Sequence, residues 1–117
     1  MRGRGSILGA RALPVTRGAP GEYVSRKFVP GDDEVFIIQG YPEPASSEST
    51  VSLSDAQRTR DPKLIISNTE LRKLNEKLMT PADVISINGL DYEVMNCEPI
   101  EHTLPHWEVL AIRIDEP

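Results

Sequence analysis

The sequence predicts a mainly β fold: a small open barrel or sandwich of five to six short strands, with one short helix and an extended N-terminal arm. Ten Pro and eight Gly in 117 residues break the chain into pieces too short for a helical bundle. Several pieces are rich in β-branched residues, and one holds an Asn-Gly pair between two apolar runs. That pair is the preferred sequence of a two-residue β-hairpin turn.

The most informative segment is residues 83–95, DVISINGLDYEVM. The Asn-Gly pair suits a type I′ turn, in which both central residues have positive φ. The resulting register places Ile87 opposite Leu90 and Ile85 opposite Tyr92, so these side chains share one face. The predicted core hairpin consists of Ile85, Ile87, Asn88, Gly89, Leu90, Tyr92 and Val94. The outer, solvated face is expected to carry Asp83, Asp91 and Glu93.

The other predicted strands are short and apolar. They cover residues 23–28, 34–39, 63–67 and 107–114. The last strand is apolar on both faces, which indicates that one face packs on the core and the other meets another chain. The expected inward residues of that strand are Leu110, Ile112 and Ile114, with Val109 and Ala111 on the opposite side.

Two connecting segments separate these strands. Pro42 and Pro44 should end the strand before them, and a long loop is expected over about residues 40–60. The Ser-rich loop offers little apolar surface, so we expect it to be mobile until a partner orders it. Between the third strand and the hairpin, Asn68 or Thr69 can cap a short helix. Its apolar side, with residues spaced three and four apart, is Leu71, Leu74 and Leu78.

Charge divides the chain into two parts. The first 30 residues hold six bases and one acid, a net charge of +5, and the whole chain carries −5, so residues 31–117 carry −10. We therefore predict an extended basic arm, residues 1–21, on an acidic β-barrel domain, residues 22–117. An acidic body makes poor contact with nucleic acid, so the arm is expected to bind a neighbouring protein. Its candidate contact residues are Arg2, Arg4, Ile7, Leu8, Arg11 and Arg17.

Motifs for catalysis, phosphate binding or a cysteine-based zinc site are missing from the sequence. His102 and His106 would share a face only on a helix, and Pro105 lies between them. Cys97, the single cysteine, is expected to be a small apolar residue beside a strand. No apolar run approaches the roughly 20 residues of a membrane span. We predict a protein that is not an enzyme and has no metal, no cofactor and no membrane contact.

The order of these features resembles that of the head-closure or head-tail joining proteins of tailed bacteriophages, which are small β-barrel proteins of the phage neck. The resemblance covers about residues 22–114 and leaves out the N-terminal arm. It rests on IQGYPEP at 38–44, KLIIS at 63–67, ELRKL at 70–74 and HWEVLAIRI at 106–114. The family hairpin, D-x-I-x-x-x-G-x-x-Y-x-V, is matched by Asp83, Ile85, Gly89, Tyr92 and Val94.

This resemblance implies a structural virion protein located at the head-tail interface and assembled in the host cytoplasm. It implies a homo-oligomeric ring, a hexamer or a dodecamer, with a portal or adaptor ring on one side and a tail-terminator or tail protein on the other. Double-stranded DNA would pass through the lumen, where an acidic surface lets it slide. Further expected subunit or partner contacts are Gln57, Arg58, Arg60 and Trp107.

Three alternatives stay open from the sequence. A tail-terminator or tail-completion ring protein would also be small and β-rich. A nucleic-acid-binding module would use the basic arm, although single-strand binders interleave aromatic residues with basic ones and the nearest aromatic residues here, Tyr23 and Phe28, follow the arm. A small hydrolase would have to use the two histidines. Ring formation separates the first of these from the other two.

Overall fold

The structure is a computed structural model of the chain and describes residues 9–19, 22–29, 31–78, 80–101 and 105–114. Strands account for 55% of the residues that the structure describes, so the predicted mainly β class is confirmed. The strands are β1 (Arg11–Gly18), β2 (Glu22–Val24), β3 (Lys27–Val29), β4 (Asp33–Pro44), β5 (Lys63–Ser67), β6 (Val84–Ile87), β7 (Leu90–Ile100) and β8 (His106–Arg113). One short helix, α1 (Asp55–Arg58), lies between β4 and β5.

Six of the strands form a closed antiparallel barrel in the order β1-β4-β5-β8-β7-β6. Alternate residues of each strand point inward, as the two-residue period of a strand requires. Gly40 keeps the interior narrow, because a Cβ there would lie 3.0 Å from Ile65 Cγ2 and 3.1 Å from Leu13 Cδ1. The barrel core consists of Leu13, Val15, Ile38, Ile65, Leu71, Ile85, Ile87, Tyr92, Val94, Val109 and Ala111.

The central hairpin has the register that the sequence predicts. Ile85 pairs with Tyr92 and Ile87 with Leu90, and the turn residues Asn88 and Gly89 have φ values of 53° and 82°. Both values are positive, as a type I′ turn requires. The prediction that Leu90 belongs to the core face is wrong, since Leu90 is 45% exposed beside the turn.

We expect Gly89→Ala to lower the free energy of unfolding by about 1 kcal/mol. An added Cβ would meet no atom within 4 Å, so the cost comes from the positive φ alone. Urea denaturation measures the loss. Asn88→Gly is the matched control and should unfold within about 0.5 kcal/mol of the parent, because glycine adopts the same φ freely. A Gly89→Ala protein as stable as the parent would contradict the type I′ turn.

β4 continues through Pro42 to Pro44, so the prediction that these prolines end the strand is wrong. Beyond Gly40, β4 pairs with β5 and no longer with β1. The Ala45 N–H donates to the Pro62 carbonyl at 3.1 Å, so the odd-numbered residues of this stretch direct their backbone groups toward β5. The prolines therefore face the unpaired side, where no N–H donor is needed.

The loop predicted over about residues 40–60 begins only after Pro44 in the structure. It packs on the outside of β8. Leu53 is 5% exposed and forms a second apolar cluster with Leu110 and Ile112. The inward assignment of Leu110 and Ile112 is therefore wrong, and Val109 and Ala111 occupy the barrel interior instead. Both faces of β8 are apolar because the chain's own loop covers the outer one. Leu53 also supplies the apolar surface that the loop was expected to lack.

The short helix lies elsewhere than predicted. Ser54 caps α1 in a capping box, in which its hydroxyl accepts from the Gln57 N–H and the Gln57 side chain accepts from the Ser54 N–H. Residues 70–74, expected to be helical, have no regular structure. Buried Leu71 and the hydrogen bond from the Arg72 N–H to Asp83 hold this segment across one end of the barrel. These tertiary contacts override a local helical pattern.

The N-terminal arm was expected to extend to residue 21, but Arg11–Gly18 is β1, an integral strand of the barrel. It pairs with β4 along its whole length and with β6 at Val15 and Thr16. Leu13 and Val15 are buried, which makes this stretch part of the core and not an arm. Residues 1–8 lie outside the described part of the chain. The predicted strand at 23–28 is a separate small hairpin, β2–β3, turning at Ser25 and Arg26.

Candidate interaction surfaces

A buried ion pair joins Asp83 to Arg17 at one end of the barrel. The Asp83 side chain is fully buried and the Arg17 side chain is 20% exposed. The Nε–H of Arg17 donates to Oδ1 at 3.0 Å, and Nη2 donates to Oδ2 at 2.8 Å. The guanidinium also lies 4.8 Å from the centre of the Phe36 ring. The hydrogen bonds to Asp83 raise the pKa of Arg17, and hydrogen bonds between charged groups are stronger than those between neutral ones.

Asp83 also fixes the backbone around it. Its Oδ2 accepts the Arg72 N–H at 2.8 Å, its own N–H donates to the Arg72 carbonyl at 2.8 Å, and its carbonyl accepts the Val94 N–H at 3.0 Å. Asp83 thus ties three parts of the chain together, which are β1, the segment around Arg72, and β7. The prediction that Asp83 lies on a solvated face is therefore wrong. Arg17 was expected to contact a neighbouring protein, but it has a partner within this chain.

A second polar contact lies between Tyr92 and Asp61. The Tyr92 hydroxyl donates to Asp61 Oδ2 at 2.5 Å, and Lys63 Nζ lies 3.5 Å from the other carboxylate oxygen. Burial, and then the hydrogen bond to Asp61, raise the pKa of Tyr92 from 10.0 to about 12. The contact therefore holds the turn before β5 against a side chain of the barrel core.

This pKa predicts a loss of stability in strong alkali. Between pH 10 and about 12 the unfolded chain loses the Tyr92 proton while the folded protein keeps it, so the free energy of unfolding falls as pH rises. Below pH 10 the contribution is fully present. We expect the absorbance change of phenolate formation, taken as parent minus Tyr92→Phe, to have its midpoint near pH 12. A difference midpoint near pH 10 would contradict the contact with Asp61.

Two of the expected partner residues, Gln57 and Arg58, make contacts within the 45–60 loop itself. Gln57 completes the capping box, and Arg58 donates to the carbonyls of Thr50 and Val51 at 3.1 and 3.2 Å. The Arg60 carbonyl accepts the Arg113 N–H at 2.8 Å. The contacts of Gln57 and Arg58 therefore stabilise the conformation of the loop.

The remaining predicted contact residues are spread over the molecule. Arg11 is exposed at the start of β1, and Trp107 is partly buried against the barrel core. The arm residues outside the described part of the chain are Arg2, Arg4, Ile7 and Leu8. Among the described residues, Arg17, Gln57 and Arg58 are bound within the chain itself, and whether the predicted contact residues share one surface stays a prediction.

Two concave sites lie near the ends of the barrel. A groove of about 480 Å³ is lined by residues 70–73, Asn75, Leu78 and Thr80 and by Asn96 and Cys97. A smaller one of about 220 Å³ includes His106 and Trp107. Burial raises the pKa of the Cys97 thiol, whose sulfur accepts the Leu71 N–H at 3.4 Å. A raised pKa lowers the thiolate fraction, so this cysteine is a poor nucleophile at neutral pH.

Within the described ranges, no group of three His, Cys, Asp or Glu side chains is placed to hold a metal ion. Over the same residues, no helix has the length and apolar character to cross a membrane.

The outer face of β1 and β4 carries exposed apolar side chains that the sequence reading did not single out. Val35 is 67% exposed and Ile37 is 57% exposed, and Pro14 stands opposite Ile37 in the adjacent strand. We call these three residues the β4 face. EVFIIQ is apolar on both sides of the strand, so the sequence does not tell which side enters the core. Exposed apolar clusters of this kind mark interaction sites.

No protein-family model matches the chain, and no curated protein is similar to it at a significant level.

Proposed function

We propose that this protein is a structural component of the neck of a tailed bacteriophage, where copies form a ring that joins or closes the DNA-filled head to the tail. The observation that carries the proposal is the closed β-barrel built around the hairpin pattern D-x-I-x-x-x-G-x-x-Y-x-V. The proposal rests on the resemblance in element order together with the charge distribution of the chain.

The structure gives a physical reason for the residues of that pattern. Asp83 ties three segments together, and Gly89 supplies the positive φ of the turn. Ile85 and Val94 are fully buried, and Tyr92 joins the core to Asp61. Each residue of the pattern therefore has a structural role in this barrel, which supports extending the resemblance from the hairpin to the fold.

The charge distribution supports a position around DNA. Residues 31–117 carry a net charge of −10, so a ring of these barrels presents an acidic surface that repels the phosphate backbone. DNA passing through such a ring would not adhere to it. The portal or adaptor ring on one side and the tail-terminator or tail protein on the other would bind the remaining surfaces.

Native mass spectrometry of the purified protein over a concentration series tests this proposal, together with binding to DNA-filled heads that lack tails. We expect a ring of six or twelve copies and stoichiometric binding to the heads. A chain that stays monomeric at every concentration and does not bind heads would overturn the proposal. The related alternative, a tail-terminator or tail-completion protein, predicts binding to isolated tails and not to heads.

The basic N-terminal segment is the observation that favours a nucleic-acid-binding module as a second candidate. Because residues 11–18 are a barrel strand, the informative deletion is residues 1–8. If Arg2, Arg4 and Arg11 contacted phosphates, the log–log salt slope of binding to double-stranded DNA would be about −2.7. Our proposal expects the intact protein to lack that binding and the deletion to weaken ring or particle assembly. Normal assembly of the deletion, with salt-sensitive DNA binding by the parent, would favour the DNA-binding candidate.

A further inference from the structure

A tight loop between β5 and β6 displays two leucines to solvent. Asn75 and Thr80 exchange two backbone hydrogen bonds of 3.0 Å, and the Asn75 side chain accepts the Leu78 N–H at 3.2 Å. Leu78 is 66% exposed and Leu74 is 53% exposed. We call residues 74–78 together with Thr80 the Leu78 loop. Its backbone is fixed by hydrogen bonds while its apolar side chains remain in water. A partner that buries these leucines therefore meets little additional entropy cost for ordering the loop.

The charges beside the Leu78 loop are unusual for this chain. Residues 70–78 contain three bases, Arg72, Lys73 and Lys77, against two acids, although residues 31–117 as a whole are strongly acidic. A lysine precedes each exposed leucine directly. The loop therefore suits an apolar surface with an acidic border.

The β4 face has that combination. Val35 and Ile37 are exposed on its strand, and Asp32, Asp33 and Glu34 are exposed at its beginning. Asp33 shares the outer face with Val35 and Ile37 because strand residues alternate, and Asp32 and Glu34 flank it at the start of the strand. The exposed leucines of the loop, in contrast, each follow a lysine. The chain's own 45–60 loop does not serve as this partner, because its buried leucine, Leu53, packs on β8. The acidic border also argues against DNA or an anionic membrane as the occupant.

We propose that the Leu78 loop of one copy binds the β4 face of a second copy. This inference rests on the proposed ring and names the surfaces through which the copies meet. Leu74 and Leu78 would pack on Val35 and Ile37, and the lysines would lie near the acids at the start of β4. Two different surfaces meet in such a contact, so each copy can bind one neighbour on either side, and the copies form a ring when the rotation between neighbours closes.

Two double variants test the contact, and all four positions are exposed, so folding should be preserved. Val35→Glu with Ile37→Glu blocks the face, and Leu74→Glu with Leu78→Glu blocks the loop. We expect each variant to be a monomer by native mass spectrometry where the parent is fully assembled, with an unchanged circular dichroism spectrum. Mixing the two variants should give complexes of two chains, because one intact face then meets one intact loop.

A matched control is Val51→Glu, which places the same charge at a 70% exposed valine outside both surfaces and should keep the parent assembly. Either double variant assembling like the parent would overturn this inference and leave the ring proposal standing. Monomeric variants that fail to pair on mixing would overturn it as well. Binding of the parent to DNA-filled heads tests the proposed function separately, because the result does not depend on which surfaces join the copies.

Discussion

Replacing Asp83 by alanine is expected to lower the free energy of unfolding by about 3 to 5 kcal/mol. The carboxylate is fully buried and accepts two hydrogen bonds from Arg17 and one from the Arg72 backbone. Its removal leaves the largely buried guanidinium without its charged partner and the Arg72 N–H without its acceptor. Urea denaturation at pH 7 measures the loss.

Controls separate the charge from the backbone contacts. Asp91→Ala removes an exposed carboxylate from the same hairpin and should change stability by no more than about 0.5 kcal/mol. The double variant Arg17→Met with Asp83→Leu should recover part of the loss, because a buried ion pair can be replaced by apolar side chains. An Asp83→Ala protein that unfolds with the parent midpoint would contradict the buried pair.

The hairpin could be predicted because its determinants are adjacent in the sequence. Asn88 and Gly89 specify the turn, and the turn then sets which residues lie opposite each other. The pairing of Ile85 with Tyr92 follows without knowledge of any other element. Short-range information of this kind also located β5 and most of β8.

The orientation of β8 depends on a distant segment and could not be predicted. Val109 and Leu110 are both apolar, so the strand reads equally well with either face inward. Leu53 decides between them, because it covers the outer face and makes Leu110 part of a second cluster. A single sequence does not show that a Ser-rich loop will supply that cover.

The 70–78 segment shows the opposite failure, in which a strong local pattern misleads. Leucines spaced three and four apart predict an amphipathic helix, but only Leu71 enters the core. The N–H and the carbonyl of Arg72 are both hydrogen-bonded to Asp83, so this contact replaces the hydrogen bonds that a helix would make there. Because the segment is not a helix packed on the barrel, Leu74 and Leu78 stay exposed. These two leucines form the candidate interaction surface.

Charge could be recognised in the sequence, but its use could not. Arg17 belongs to a basic stretch and was assigned to an outside partner, yet its partner is Asp83, 66 residues away in the same chain. The bidentate geometry of that pair depends on β1 lying against β6, and neither residue carries a local mark of the contact.

Replacing Tyr92 by alanine is expected to lower the free energy of unfolding by about 3 to 5 kcal/mol, as aromatic truncation in a packed core does. Tyr92 is 2% exposed and is the largest of the fully buried side chains. Tyr92→Phe keeps the ring and removes only the hydrogen bond to Asp61, so it should cost about 1.5 kcal/mol. The difference between the two variants measures the packing of the ring inside the barrel.

Tyr41→Ala is the matched control, because Tyr41 is 41% exposed on the outside of β4 and should contribute about 0.5 kcal/mol. Equilibrium urea denaturation of the three variants at pH 7 gives the comparison. If Tyr92→Ala unfolded at the parent midpoint, the hairpin could not be part of the barrel core. If Tyr92→Phe were as damaging as Tyr92→Ala, the hydrogen bond to Asp61, and not burial of the ring, would be what holds β7 in the barrel.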